Sequence, residues 1–222
     1  MTVSPKLQKG LKRLFSSSIL QIIAAVLAIV GLITMIIGLA VAAAGALDSA
    51  DNVAAGGVIA AGGGMAFTLI AGILVIIAFF LSLAGIINVS KENGNFKIAL
   101  YGVLAGIVLG IVKTFVSGNP TLSAIIGLLV NVCSIVMFLF TCRGIQEVGE
   151  KLRRDDIAGK YNTIVMFYCL AALLQFIGGF LGTQSIGYTF NLIGQVCSII
   201  SYFRYMGYLR RAIKALEGIP TM

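Results

Sequence analysis

The chain has 222 residues, 59% of them hydrophobic and only 11% charged, with a mean hydropathy of +1.05. A soluble domain carries about a quarter charged residues, and this balance could not cover the surface of one, so a soluble fold is excluded. The net charge of +8 comes from basic residues that flank apolar runs, which makes it a topology signal and no nucleic-acid footprint.

Residues 1–18 form a basic, cytoplasmic N-terminal segment. In KLQKGLKRLF, Leu7, Leu11 and Leu14 recur at helical spacing among Lys6, Lys9, Lys12 and Arg13. That pattern predicts an amphipathic helix at the interface of an anionic lipid surface. Ser16 to Leu47 then carries no charge, nor does Asn52 to Ser90. Each run exceeds the roughly 20 residues that cross a hydrocarbon core. The first is too long for the apolar core of a cleaved signal peptide, so an uncleaved span is expected.

Six spans follow, near Ile19–Ala46, Val58–Val89, Lys97–Ser117, Leu122–Val148, Tyr161–Gly182 and Ile186–Leu209. Short polar breaks separate them: LDSADN, SKENGN, SGNPT, a charged connector over 149–160, and GTQS. The expected fold is an all-α integral membrane protein, a bundle of six transmembrane helices built from three helical hairpins. Hairpin one covers 19–89, hairpin two 95–148 and hairpin three 161–222 with its basic C-terminal extension. Barrel strands would alternate polar and apolar residues, and none do.

Basic residues set the orientation. Of the 16, only Lys113 lies away from the N-terminus, the second and fourth connections and the C-terminal flank. The positive-inside rule makes that side cytoplasmic, with both termini inside. A multi-pass protein of the plasma membrane, of bacterial type, is expected. Its four cysteines all fall in spans and none forms a CxxC pair, so neither a disulfide framework nor a metal site is expected.

The hairpins echo one another. GLLVNVCSIV at 127–136 returns as NLIGQVCSII at 191–200, and SGNPT before span four matches LGTQS before span six. More faintly, FFLSLAGIINV at 79–89 aligns with FLFTCRGIQEV at 138–148. These matches suggest tandem repeats related by an axis along the membrane normal. Small residues supply packing faces, because membrane helices associate by close approach over Gly, Ala and Ser. Gly102, Gly106 and Gly110 form a doubled GxxxG on span three, and Ala24, Ala28, Gly31, Gly38, Ala42 and Gly45 mark span one.

Polar side chains inside the outer half of the membrane are the candidate site. Asn131 and Ser134 share a face of span four, Gln175 lies in span five, and Asn191, Gln195 and Ser198 share a face of span six. Lys113 stands near the outer end of span three, able to snorkel to the interface or to turn inward. Two readings of this layer stay open. It is an interhelical hydrogen-bond lock, or a pocket open to the outside for a polar or anionic solute.

Enzymatic chemistry is not expected. The chain has no histidine, and no Asp or Glu lies in a span core, which removes zinc proteolysis, Ser–His catalysis and carboxylate proton relays. Glu147 with Lys151 and Glu150 with Arg154 read as i,i+4 pairs on a solvated helix extension. The functional expectation is a small transport component or permeation bundle without a cofactor, partnered by the lipid bilayer and by a homo-oligomer or an energising membrane protein. The alternative is a membrane scaffold, stress or assembly protein whose polar layer is purely structural.

Overall fold

A computed structural model describes residues 4–47, 51–181 and 185–217. Every regular element among them is helical: α1 (Pro5–Leu47), α2 (Asp51–Ser90), α3 (Gly94–Phe115), α4 (Pro120–Lys151), the single turn α5 (Asp155–Ala158), α6 (Tyr161–Leu181) and α7 (Ser185–Glu217). Asp48, Gly182 and residues 218–222 of the C-terminal extension lie outside the described residues. Five helices, all but α5 and α7, are long and apolar enough to cross a membrane. The sixth, α7, has 33 residues, but Asn191 and Gln195 interrupt its apolar run. Large apolar side chains cover the outsides of these helices, among them Ile33, Ile73, Val108 and Ile199 at 51–59% exposure. In water such a surface would aggregate, whereas lipid solvates it.

Contacts divide the chain into two compact units, Ser16–Ser82 and Met1–Phe15 with Leu83–Met222. Within the first of these, α1 and α2 run antiparallel along a ladder of small residues. Ser17 donates a hydrogen bond to the Ala78 carbonyl at 2.7 Å. A Cβ added to Gly31 would sit 2.8 Å from the Gly64 carbonyl oxygen, and one added to Gly38 would sit 2.7 Å from that of Gly57. In each pair the residue numbers sum to 95, and the same register sets Ala24 opposite Ala71, both buried. The rungs recur every seven residues, the period of a left-handed antiparallel coil. Only this narrow stripe is buried, so van der Waals contact between close backbones holds the pair.

The second unit has its core at the basic ends of its helices. Leu11, Ile86, Phe96, Ile145, Ile157, Ile164 and Leu209 are all at most 2% exposed and belong to one cluster. Gly10 and Gly85 approach each other here, again in the register that sums to 95. Ile86 and Ile145 share the core, while Gly85 admits Leu14 and Gly144 admits the Phe96 ring.

The N-terminal amphipathic segment is helical, and its leucines face the protein core. It is the first turns of α1, and Leu11 and Leu14 are 0% and 4% exposed in the protein core. Their apolar face packs on Gly85, Ile86 and Val89 of α2, while Lys6, Lys9 and Lys12 are exposed. Lys12, on the other side of the helix, pairs with Glu217 at 2.8 Å.

The expected i,i+4 ion pairs of α4 do not form. Helix α4 ends at Lys151, and Arg153 turns into positive φ (52°), which carries Arg154 off the helix axis. Arg154 pairs instead with Asp156 at 2.8 Å, and this holds the exposed Asp156 carboxyl below its usual range. Glu147 is drawn to the α2–α3 connection, where both its oxygens accept from the side-chain amides of Asn93 and Asn95. Asn93 also caps α3 through the Asn95 N–H, and Asn119 caps α4 through the Leu122 N–H with Pro120 at the first helical position.

The three glycines of α3 do not approach α4 equally closely. A Cβ at Gly102 would sit 3.2 Å from the Cys133 carbonyl oxygen, Gly106 has only an ordinary contact, and nothing lies within 4 Å of Gly110. Helices α3 and α4 therefore approach closely at Gly102 and stand farther apart toward Gly110.

Candidate functional site: a polar groove between α4, α6 and α7

A groove of about 780 Å³ lies between α4, α6 and α7. Asn131, Ser134, Gln175, Asn191, Gln195 and Ser198 all line it. Six of the seven polar residues singled out in the sequence are thus brought together. Lys113 is not among them. It lines an adjoining recess of about 600 Å³ that shares Asn131 and Gln175 with the groove.

Depth follows from position along the helices. At about 1.5 Å per residue, Gln175 and Asn191 lie about 9 Å from the outer ends of α6 and α7. Asn131 and Gln195 lie about 15 Å or slightly more from the outer ends of α4 and α7. In a helix that crosses a bilayer, a polar group this far from the end needs a partner.

Glycines position three of these side chains. Gln175 lies over Gly194 of α7, and Asn191 lies over Gly178 of α6, where an added Cβ would meet its amide at 2.6–2.8 Å. Lys113 extends over Gly127 of α4, with Nζ 3.3 Å from where a Cβ would stand. Each long polar side chain uses the space left by a missing one on the facing helix.

The hydrogen bonds are uneven. Gln175 Nε2 lies 3.0 Å from Ser198 Oγ and donates to it, tying α6 to α7. Ser134 Oγ donates back to the Val130 carbonyl within α4. Asn131 and Gln195 are exposed on the groove, and neither side chain bonds another described residue. The lock in which Asn131 and Gln195 bond each other across the bundle is not what the side chains do.

The groove ends inward at an aromatic stack. Tyr168 lines it, Phe138 stacks on Tyr168 with ring centroids 3.9 Å apart, and Tyr205 lies against Phe138 at 5.2 Å. No sequence pattern marks this stack, since Phe and Tyr in an apolar helix look like lipid-facing or core residues. Gly194 does carry a usable signal, a glycine one residue before an amide in an apolar helix. Apolar walls come from Leu128, Val132, Leu173 and Phe176. Among the described residues no cluster of His, Cys, Asp or Glu is arranged to hold a metal ion. The site offers amide and hydroxyl hydrogen bonding beside one ammonium group, and no nucleophile paired with a base.

No family model, curated protein or solved structure matches the chain.

Proposed function

We propose that the chain is a non-enzymatic multi-pass membrane protein, a small transport component or permeation bundle that takes a polar or anionic solute into the α4/α6/α7 groove. The observation that carries this reading is the state of Asn131 and Gln195. Both are exposed at hydrocarbon depth with no bond to another described residue. An amide left unpaired there costs several kcal/mol, so the groove holds water or a polar occupant. The aromatic stack at Tyr168 closes the inner end, and passage requires it to move. With no carboxylate in the span cores to couple ions, transport is passive or driven by a second copy or an energising membrane protein. The basic flanks support placement in a plasma membrane of bacterial type, with both termini in the cytoplasm.

A structural role for part of the layer has its own support. The Gln175–Ser198 bond and the seating of Asn191 on Gly178 fix the register of α6 against α7, as a scaffold or assembly protein would require. Cysteine labelling separates the two. In a chain whose four native cysteines are replaced, Gln195→Cys should react quickly with a small charged thiosulfonate added outside sealed vesicles. Leu192→Cys, on an exposed face of the same helix, is the lipid-facing reference. Equal, slow reaction at both positions would leave only the structural role.

A further inference from the structure

We infer that the occupant of this groove is a membrane-borne amphiphile with an anionic phosphate headgroup; this rests on the groove being a binding pocket. The headgroup would sit in the outer recess on Lys113, Asn131 and Gln175, with Ser123 beside them. Its chain would lie along the groove against Leu128, Val132, Leu173 and Phe176.

Three observations support this class over a fully soluble solute. The groove is partly open and its wall residues Leu173 and Phe176 are exposed, so bilayer lipid can enter it sideways. Its walls are mainly apolar and strongly exposed, with Leu173 at 55% and Phe176 at 56%, a poor lining for a ligand that is polar all over. Lys113 supplies the charge. It is the one basic residue away from the cytoplasmic flanks, and the ion pairs of the described residues leave it without a carboxylate. An ammonium beside two amide groups matches a phosphate: one point charge and several N–H donors. The recess and groove share Leu128, Asn131, Gln175 and Phe176, so head and chain sites are continuous.

The chain contains no tryptophan, which leaves a clean optical background for a test. The full chain carrying Leu173→Trp is reconstituted in phosphatidylcholine vesicles, and a minor fraction of brominated-chain lipid is added as quencher. Brominated phosphatidic acid should quench this tryptophan at mole fractions about fivefold lower than brominated phosphatidylcholine, the gain one lysine gives near an anionic headgroup. Lys113→Gln should abolish the preference and Lys113→Arg should keep it. Ile76→Trp on the exposed face of α2 should quench equally with both lipids, as annular lipid does. Equal quenching at Leu173→Trp by the two lipids would overturn the inference. So would relief of the phosphatidic acid effect by millimolar inorganic phosphate, which would make the ligand a free anion. Aqueous iodide separates the remaining failures. Quenching by iodide but by neither lipid means a water-filled pocket for a soluble solute, and quenching by none of the three means no pocket.

Discussion

Gln175 on α6 lies over Gly194 on α7, so close that a Cβ at position 194 would stand 2.8 Å from Gln175 Cγ and 3.1 Å from the Ala171 carbonyl oxygen. The relationship is reciprocal, since Asn191 on α7 occupies the space over Gly178 on α6. Two amides thus enter a tight helix pair without forcing it apart, and their polar ends reach the groove.

Adding a side chain at position 194 should therefore separate the helices. Gly194→Val meets backbone as well as the Gln175 stem, and overpacking of this kind costs about 1–3 kcal/mol. Gly179→Ala, with nothing within 4 Å, should be neutral or slightly stabilising through its better helix propensity. Unfolding in a graded detergent series measures both. Similar losses from the two would remove the special place of Gly194.

The small-residue ladder of α1 and α2 gives a second contrast. A side chain at Gly38 meets the Ala61 amide and, at 2.7 Å, the Gly57 carbonyl, whereas nothing lies within 4 Å of Gly63. Gly38→Leu should cost several kcal/mol or abolish a detergent-stable fold, since backbone cannot move aside as a side chain does. Gly63→Leu should leave stability within about 0.5 kcal/mol, as an exposed substitution does. Equal outcomes would mean that the stripe does not hold the hairpin.

Much of this architecture was legible in the residues, and the exceptions have physical causes. Helix positions follow from uncharged runs, so the six long helices start and end near the expected breaks. The α1 extension to Pro5 was hidden because an amphipathic face reads alike whether it meets lipid or protein. The ladder was readable in principle from small residues at 17, 24, 31 and 38 facing 57, 64, 71 and 78. Its register was not, because pairing needs the geometry of the turn. The polar residues of the groove stood out because amides in hydrocarbon are costly. Which of them pair with one another depends on the divergence of the helices, and no local pattern encodes that. Gly110 illustrates the limit: the GxxxG spacing is present, yet the partner helix has already moved away.

Glu147 offers a test of the basic end of the helices. Both its oxygens accept from Asn93 and Asn95, and hydrogen bonds to a charged group contribute about 1.5–3 kcal/mol. Glu147→Gln keeps one acceptor and sets an amide nitrogen against a donor, so thermal stability in detergent should fall measurably. Asp156→Asn should not lower it. The Asp156 carboxyl is held below its usual range by Arg154, so its contribution is present above the unfolded range and fades as pH falls through the lowered folded value. The pair is fully exposed, however, and solvent screens it. A larger loss from Asp156→Asn than from Glu147→Gln would reverse this ranking.

The repeated phrase supplies the last prediction. Asn131 and Gln195 occupy matching places in GLLVNVCSIV and NLIGQVCSII, line one groove, and do not bond to each other. Replacing either with Leu removes an exposed amide from hydrocarbon depth and leaves no stranded protein partner, so each single variant should fold as well as the parent or better. With no direct bond to lose twice, the stability changes should add to within about 0.5 kcal/mol in the double variant. Groove access should behave differently. Entry of iodide to a tryptophan at position 173 should fall in each single variant and nearly vanish in the double one, because the groove then has little to hold water. A coupling of about 1 kcal/mol or more between the two positions would show that they bond in the membrane after all. Additive stability with undiminished iodide entry would mean that Ser134, Asn191 and Ser198 hydrate the groove without them.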